Sequence, residues 1–201
     1  MTKNPVKTKK INELLFKEIK EMFDVDQELR NLWNNSELTK PLNQWGGGNK
    51  RLSKNKLNWG LINYMIYFAD AAHNPRIHRI IDKHSYPTSK LIGKKGMLYF
   101  FVLVDHQDYD IDLQKACLEK CDFSKKLQAN LIDRILVHEG KKQVYGTLFK
   151  RDTKNNRIVS QPISDKKDLD KKRKTMGLRP LQDDLNSMNK KFYGKINADT
   201  K

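Results

Sequence analysis

An Asp-Arg pair set inside an apolar, helix-forming stretch constrains this chain more than any other feature. Residues 131 to 148 read Leu-Ile-Asp-Arg-Ile-Leu-Val-His-Glu-Gly-Lys-Lys-Gln-Val-Tyr-Gly-Thr-Leu, so Asp133 and Arg134 interrupt a run that stops at Gly140. Ionised side chains are costly to bury unless they are paired and hydrogen-bonded. The pair therefore demands an exposed helix face or an organised polar cluster. Adjacent residues on a helix point about 100° apart, so Asp133 and Arg134 need separate partners. Arg134 is expected to reach Asp108, Asp110 or Asp165. Beyond the glycine, Gln143, Tyr145 and Thr147 alternate, and on a strand all three would share one face. That face, beside a helix carrying Asp133, would make a polar pocket.

The rest of the chain punctuates itself into helices. Ile11, Leu14, Leu15, Glu18, Ile19, Met22 and Phe23 repeat at helical spacing, and this amphipathic helix extends to Trp33. Pro41 to Lys56, with Gly46-Gly47-Gly48, has no period and reads as a loop. A second helix is expected over Leu57 to Ala71, and a third from Asn74, with Pro75 in its first turn, to His84. Thr88 to Gly96 reads as a linker. Met97 to Asp105 is a buried element, helix or central strand by periodicity alone. Asp110 caps a helix ending at Cys121, and Ser124 caps one that runs to His138 and closes at Gly140. Gln143–Phe149 and Arg157–Ile163 flank Asn155-Asn156 as a hairpin. Ser164 or Asp165 opens a charged helix ending near Gly177, and a short helix passes through Leu185 and Met188. The expectation is a mainly α protein: a single helical domain over 1–192 with six or seven helices, one small β-hairpin, a loop insertion at 35–60 and a disordered tail.

Bulk properties set the outer limits. At 201 residues and 37% hydrophobic content the chain supports one ordinary domain. Its longest apolar run, Met97 to Val104, is eight residues, against roughly 20 for a membrane span, and Met1–Lys10 is polar. No membrane association is expected, and a cytoplasmic location is the default. The net charge of +16 suggests nucleic acid, yet only 9 of the 40 basic residues are Arg, the residue that phosphate clamps favour. The charge is also spread from Lys3 to Lys201, and abundant Lys with Asn is what an AT-rich genome encodes. Cys117 and Cys121 share a helix face and read as small core residues. No second Cys pair or close His pair follows, so no metal set is expected.

From Arg76 onward the order of blocks resembles a bacterial family known as domain of unknown function 6624. The blocks are Ile80-Ile81 to Pro87-Thr88, Ile92-Gly93, and Leu103-Val104-Asp105-His106-Gln107-Asp108 with Gln114. After them come Leu131-Ile132-Asp133-Arg134, Gly140, Gln143 with Tyr145-Gly146-Thr147, Pro162-Ile163 with Asp165, and Asp170, Arg173 and Gly177-Leu178. Asp26-Gln27-Glu28-Leu29-Arg30 fits the same pattern. The chain departs from it at Asp105 and Leu148, where relatives often carry Gln, and in being more basic. The resemblance names neither a reaction nor a cofactor, and both stay open at this point.

Several residues remain as chemical candidates. His106 closes the apolar element with carboxylates nearby, a placement suited to a general base near neutral pH. The expected catalytic set is His106, Asp133, Arg134 and Tyr145, with Asp108, Gln114, Gln143, Thr147 and Arg173 around the substrate. There is no nucleophile elbow, phosphate-cradling glycine loop or His-x-x-x-His pair. The leading expectation is a small enzyme acting on a small molecule or peptide through this polar pocket, Arg134 orienting an anionic group. The alternative is a nucleic-acid or polyanion-binding module using Asn49–Lys56 beside Trp45 and Trp59, where aromatics among lysines would stack bases.

Overall fold

A computed structural model describes the protein over residues 11–34 and 54–194. The sequence elements become seven helices and one hairpin among the described residues. In chain order they are α1 (Glu13–Asn34), α2 (Lys54–His84), α3 (Ser89–Asp105), α4 (Ile111–Lys120), α5 (Lys125–His138), β1 (Phe149–Asp152), β2 (Arg157–Ser160), α6 (Leu169–Thr175) and α7 (Leu181–Tyr193). The fold is mainly α, as expected. The glycine run at 46–48, Trp45, Asn49–Ser53 and the tail beyond Gly194 lie outside the described residues, as does the side chain of Trp59. No helix of the described chain is long and apolar enough to cross a membrane. The chain divides into two compact units, residues 1–107 and 108–201.

In the first unit α1 packs on α2 and α3. Leu15, Ile19 and Met22 form the buried stripe of α1, and Asp26 is the next buried position along it. On α2 the buried positions Ile62, Asp70, His73, Ile77 and Ile80 follow helical spacing. Polar residues thus occupy core positions on both helices. Tyr99 of α3 stacks on Phe23 at 4.2 Å, with Phe16 at 6.0 Å.

Two expectations are corrected here. The second and third helices are one, α2, which starts at Lys54 and continues through Pro75. Proline in a helix frees the carbonyl four residues back. That residue is Ala71, which is exposed like Pro75, so water can take the carbonyl and the helix need not end. The linker over Thr88 to Gly96 is also largely helical. α3 opens at Ser89, breaks at Gly93 (φ 74°, ψ 164°) and resumes. This backbone region is essentially closed to residues with a Cβ. The buried element Met97 to Asp105 is therefore a helix.

In the second unit α4 packs on α5, β2 on α7, and α6 on α7. Asp110 caps α4 as expected, its side chain accepting from Leu113 N at 3.0 Å. Ser124 occupies the cap position of α5 without a side-chain cap bond. The hairpin pairs Phe149 with Ser160 and Asp152 with Arg157, and Asn156 takes the left-handed turn position (φ 47°). Asn189 of α7 extends it, accepting from Ile158 N at 2.8 Å and donating to Ile158 O at 3.1 Å.

Candidate functional site

Three helices of the first unit converge on Asp26. The carboxylate can only accept hydrogen bonds, and three donors meet it. His106 Nδ1 donates to Oδ1 at 2.9 Å, Arg30 Nη1 donates to the same oxygen, and Gln27 Nε2 donates to Oδ2 at 2.7 Å. Asp26 and Arg30 stand four apart on α1, Asp70 and His73 three apart on α2, and His106 caps the C-terminus of α3. Arg30 Nη2 also grips both Asp70 oxygens, at 3.1 and 3.0 Å. The guanidinium thereby bridges two carboxylates, and on the more buried one it shares an oxygen with His106.

The electrostatics separate the two acids. Burial alone would raise the Asp26 carboxyl, but the His106 hydrogen bond and charge, with Arg30 and Gln27, outweigh it and hold Asp26 below the usual carboxylate range. Burial raises Asp70 above that range and the Asp26 charge adds to it, against the opposing pull of Arg30 and His106. His73 is pushed down by burial, reinforced by the positive charges of Arg76, Arg30 and His106 and opposed by Asp26. Its Nδ1 is buried with no hydrogen-bond partner among the described residues.

Asp70 also lines a cleft of about 550 Å³ along α2, together with Gly60, Asn63, Tyr64, Ile66 and Tyr67. The cluster therefore has one carboxyl on the wall of a cavity large enough for a small ligand.

The remaining sequence candidates lie in the second unit, where they form a different arrangement. The Gln143–Thr147 segment is a loop, not a strand, apart from one bridge between Gln143 and Ile163. The cause is Asp133. Its buried carboxylate accepts from Val144 N at 2.8 Å, Tyr145 N at 2.9 Å, Thr147 N at 2.9 Å and Thr147 Oγ1 at 2.9 Å. Main-chain donors that a strand would offer to a neighbour are drawn onto one carboxylate. Gly146 supplies the positive φ (65°) that the tight loop needs. Gln143 binds the same loop, accepting from Leu148 N at 2.7 Å and donating to Leu148 O and Gln161 O at 3.1 Å. Arg173, fully buried, donates to Tyr145 O at 2.6 Å, Gly146 O at 3.2 Å and Arg179 O at 2.7 Å, and pairs with Asp184.

The organised polar cluster that Asp133 demanded is thus present, assembled with main chain. Arg134 reaches Asp108 at 2.7 Å, one of its three expected partners. The pair borders a second cleft of about 470 Å³, with His138, Leu148 and Phe149. Gln114 is buried on α4. His106 belongs to the first unit, where its partner is Asp26.

Asp26, Arg30, Asp70 and His73 were not among the sequence candidates. Their signal was present: each aspartate, and His73, stands on the apolar stripe of its helix, where a polar residue needs a partner.

No curated protein and no solved structure matches the chain. A family model described as a family of unknown function, DUF6624, matches residues 58–197. The match takes in Asp70, His73, His106 and the whole Asp133–Arg173 loop cluster, and begins after Asp26 and Arg30. On that coverage the chain belongs to the DUF6624 family.

Proposed function

We propose that the protein is a small enzyme acting on a small molecule or peptide, with His106 as its acid/base group. The observation that carries this reading is the His106–Asp26 hydrogen bond at 2.9 Å to a fully buried carboxylate. Because Asp26 can only accept, it fixes the proton on Nδ1 and leaves Nε2 to exchange protons with a ligand. Arg30 anchors the carboxylate from its own helix. Asp70 places a second carboxyl on the cleft wall, where a substrate's polar group would meet it. In the second unit, Asp133, Gln143 and Arg173 set the conformation of the loop carrying Tyr145 and Thr147. Arg134, half-buried beside Asp108 at the second unit's own cleft, is by itself a candidate for holding an anionic group.

The test is turnover of a metabolite and peptide library followed by mass spectrometry. Positioned acid/base groups contribute about 10²–10⁴-fold to rate. A conversion that drops by that factor in His106→Gln, with the melting temperature unchanged, supports the reading. Conversion equal in wild type and His106→Gln removes it.

A second reading, polyanion binding, is favoured by the exposed aromatic face of α2. Tyr64, Tyr67 and Phe68 are each more than 60% exposed, with Tyr64 and Phe68 stacked at 6.3 Å. Exposed rings on a chain of net charge +16 suit base stacking beside phosphate contacts.

A further inference from the structure

We propose that Asp26, Asp70 and His106, with His73 beside them, bind a divalent transition-metal ion, and that Arg30 holds the cation's place when the metal is absent. The proposal rests on the same cluster as the acid/base reading but not on its chemistry, since a metal would recruit the His106 ring as a ligand.

Geometry is the first support. Asp26, Asp70 and His106 each offer one ligand atom, and these atoms lie within 4.8 Å of one another. Small side-chain rotations bring such a set to the roughly 2.0–2.2 Å bond lengths of zinc to imidazole and carboxylate. The ligands come from three different helices, so the protein frame fixes their separation.

His73 is the second, independent support. It is 4% exposed, one turn from Asp70 on α2, and its Nδ1 has no hydrogen-bond partner among the described residues. It stands on the same buried face of α2 as Asp70. A buried imidazole nitrogen left without a partner is costly in a structural core. His73 is not one of the three groups whose ligand atoms lie within 4.8 Å of one another, so it stands beside the site and would join the coordination only by turning toward it.

The chemistry of the donor set is the third. Two carboxylates and one imidazole gather at one place, with a guanidinium already among them as a cation. Mixed carboxylate and imidazole ligands suit zinc, manganese, iron or cobalt better than magnesium or calcium, which prefer oxygen alone.

Arg30 explains how the cluster persists without metal. It occupies both Asp70 oxygens and one Asp26 oxygen, the same atoms a metal would take. Its side chain is 23% exposed, so it has a route toward solvent. Arginine and metal therefore compete, and the arginine lowers the apparent metal affinity by the fraction of time it holds the carboxylates.

The experiment is equilibrium dialysis of the chelator-treated full chain against Zn²⁺, Mn²⁺ or Co²⁺, with bound metal measured by mass spectrometry and Co²⁺ also by visible absorption. The expected result is one ion per chain, bound about tenfold more tightly by Arg30→Gln, in which the competing cation is gone. Asp70→Asn with His106→Ala should abolish binding. No stoichiometric uptake by wild type and by a folded Arg30→Gln overturns the proposal. So does uptake that survives the double substitution, which marks an adventitious ion. Should Arg30→Gln fail to fold, wild type and Asp70→Asn decide it alone, equal uptake in the two being a refutation. The readout is the ion itself, so a negative result leaves the acid/base reading standing, and binding without turnover separates the two the other way.

Discussion

Replacing Asp133 by Asn keeps its shape and changes what its oxygens can do. The carboxylate accepts three main-chain N–H groups and one hydroxyl, and an amide would turn one acceptor into a donor facing donors. Leaving buried hydrogen-bonding groups unsatisfied costs about 1–3 kcal/mol each, more for charged ones. Asp133→Asn is therefore expected to destabilise the protein by about 2–4 kcal/mol, read as a lower urea midpoint. Thr147→Val removes one hydroxyl bond and should cost about 1 kcal/mol. A smaller loss for Asp133→Asn than for Thr147→Val would contradict the loop-clamp account. At this scale the sequence announced that Asp133 needed partners, but the partners proved to be main chain, which carries no residue identity to read. Asp26, which was not among the sequence candidates, carried its signal in the opposite way. It continues the Leu15, Ile19, Met22 stripe, and a carboxylate at a core position of a helix calls for a cation or an imidazole to face it.

Elements were legible where periodicity and caps agreed and misread where one backbone carbonyl decided the matter. Pro75 looked like a helix start because proline fits the first turn. It lies mid-helix because Ala71 faces water. Strand periodicity in Gln143, Tyr145 and Thr147 was likewise outweighed by one carboxylate. Gly93 gives the element scale a prediction. Its φ of 74° with ψ of 164° suits glycine alone, and strain of this kind costs about 1–3 kcal/mol. Gly93→Ala should lower stability by that amount in chemical denaturation, while the far-ultraviolet spectrum stays helical. A second prediction concerns Glu139, where hydrogen bonds from Lys115 and Lys141 depress the carboxyl from 4.5 to about 2. The folded value lies below the unfolded one, so this contribution is complete above about pH 4.5 and is lost as the pH falls toward 2. Carbon-detected titration should place Glu139 well below 4.5. Glu139→Gln should flatten the stability profile across that window.

At the scale of the molecule, charge is the property hardest to assign. A net +16 guarantees attraction to polyanions, and each neutralised phosphate steepens the fall of log K with log salt by about 0.9 on duplex DNA. Weak DNA binding that vanishes between about 50 and 200 mM salt is the expected outcome for a solvated lysine surface. Binding that persists above that range, and falls on Tyr64→Ala with Tyr67→Ala, would promote the polyanion reading over the enzyme. The mainly helical class was legible because summed periodicity is robust. The meeting of Asp26, Asp70 and His106 was not, because convergence of three helices leaves no spacing in the chain. Arg173 carries a consequence for biosynthesis. The loop at 143–148 is synthesised well before Asp184, the acid that completes the arginine's surroundings. At about 5–20 residues per second, a ribosome needs about 2–8 s to travel from one to the other. Over that interval the nascent loop lacks the electrostatic lock that later fastens it, so it cannot set until the chain has been made as far as Asp184.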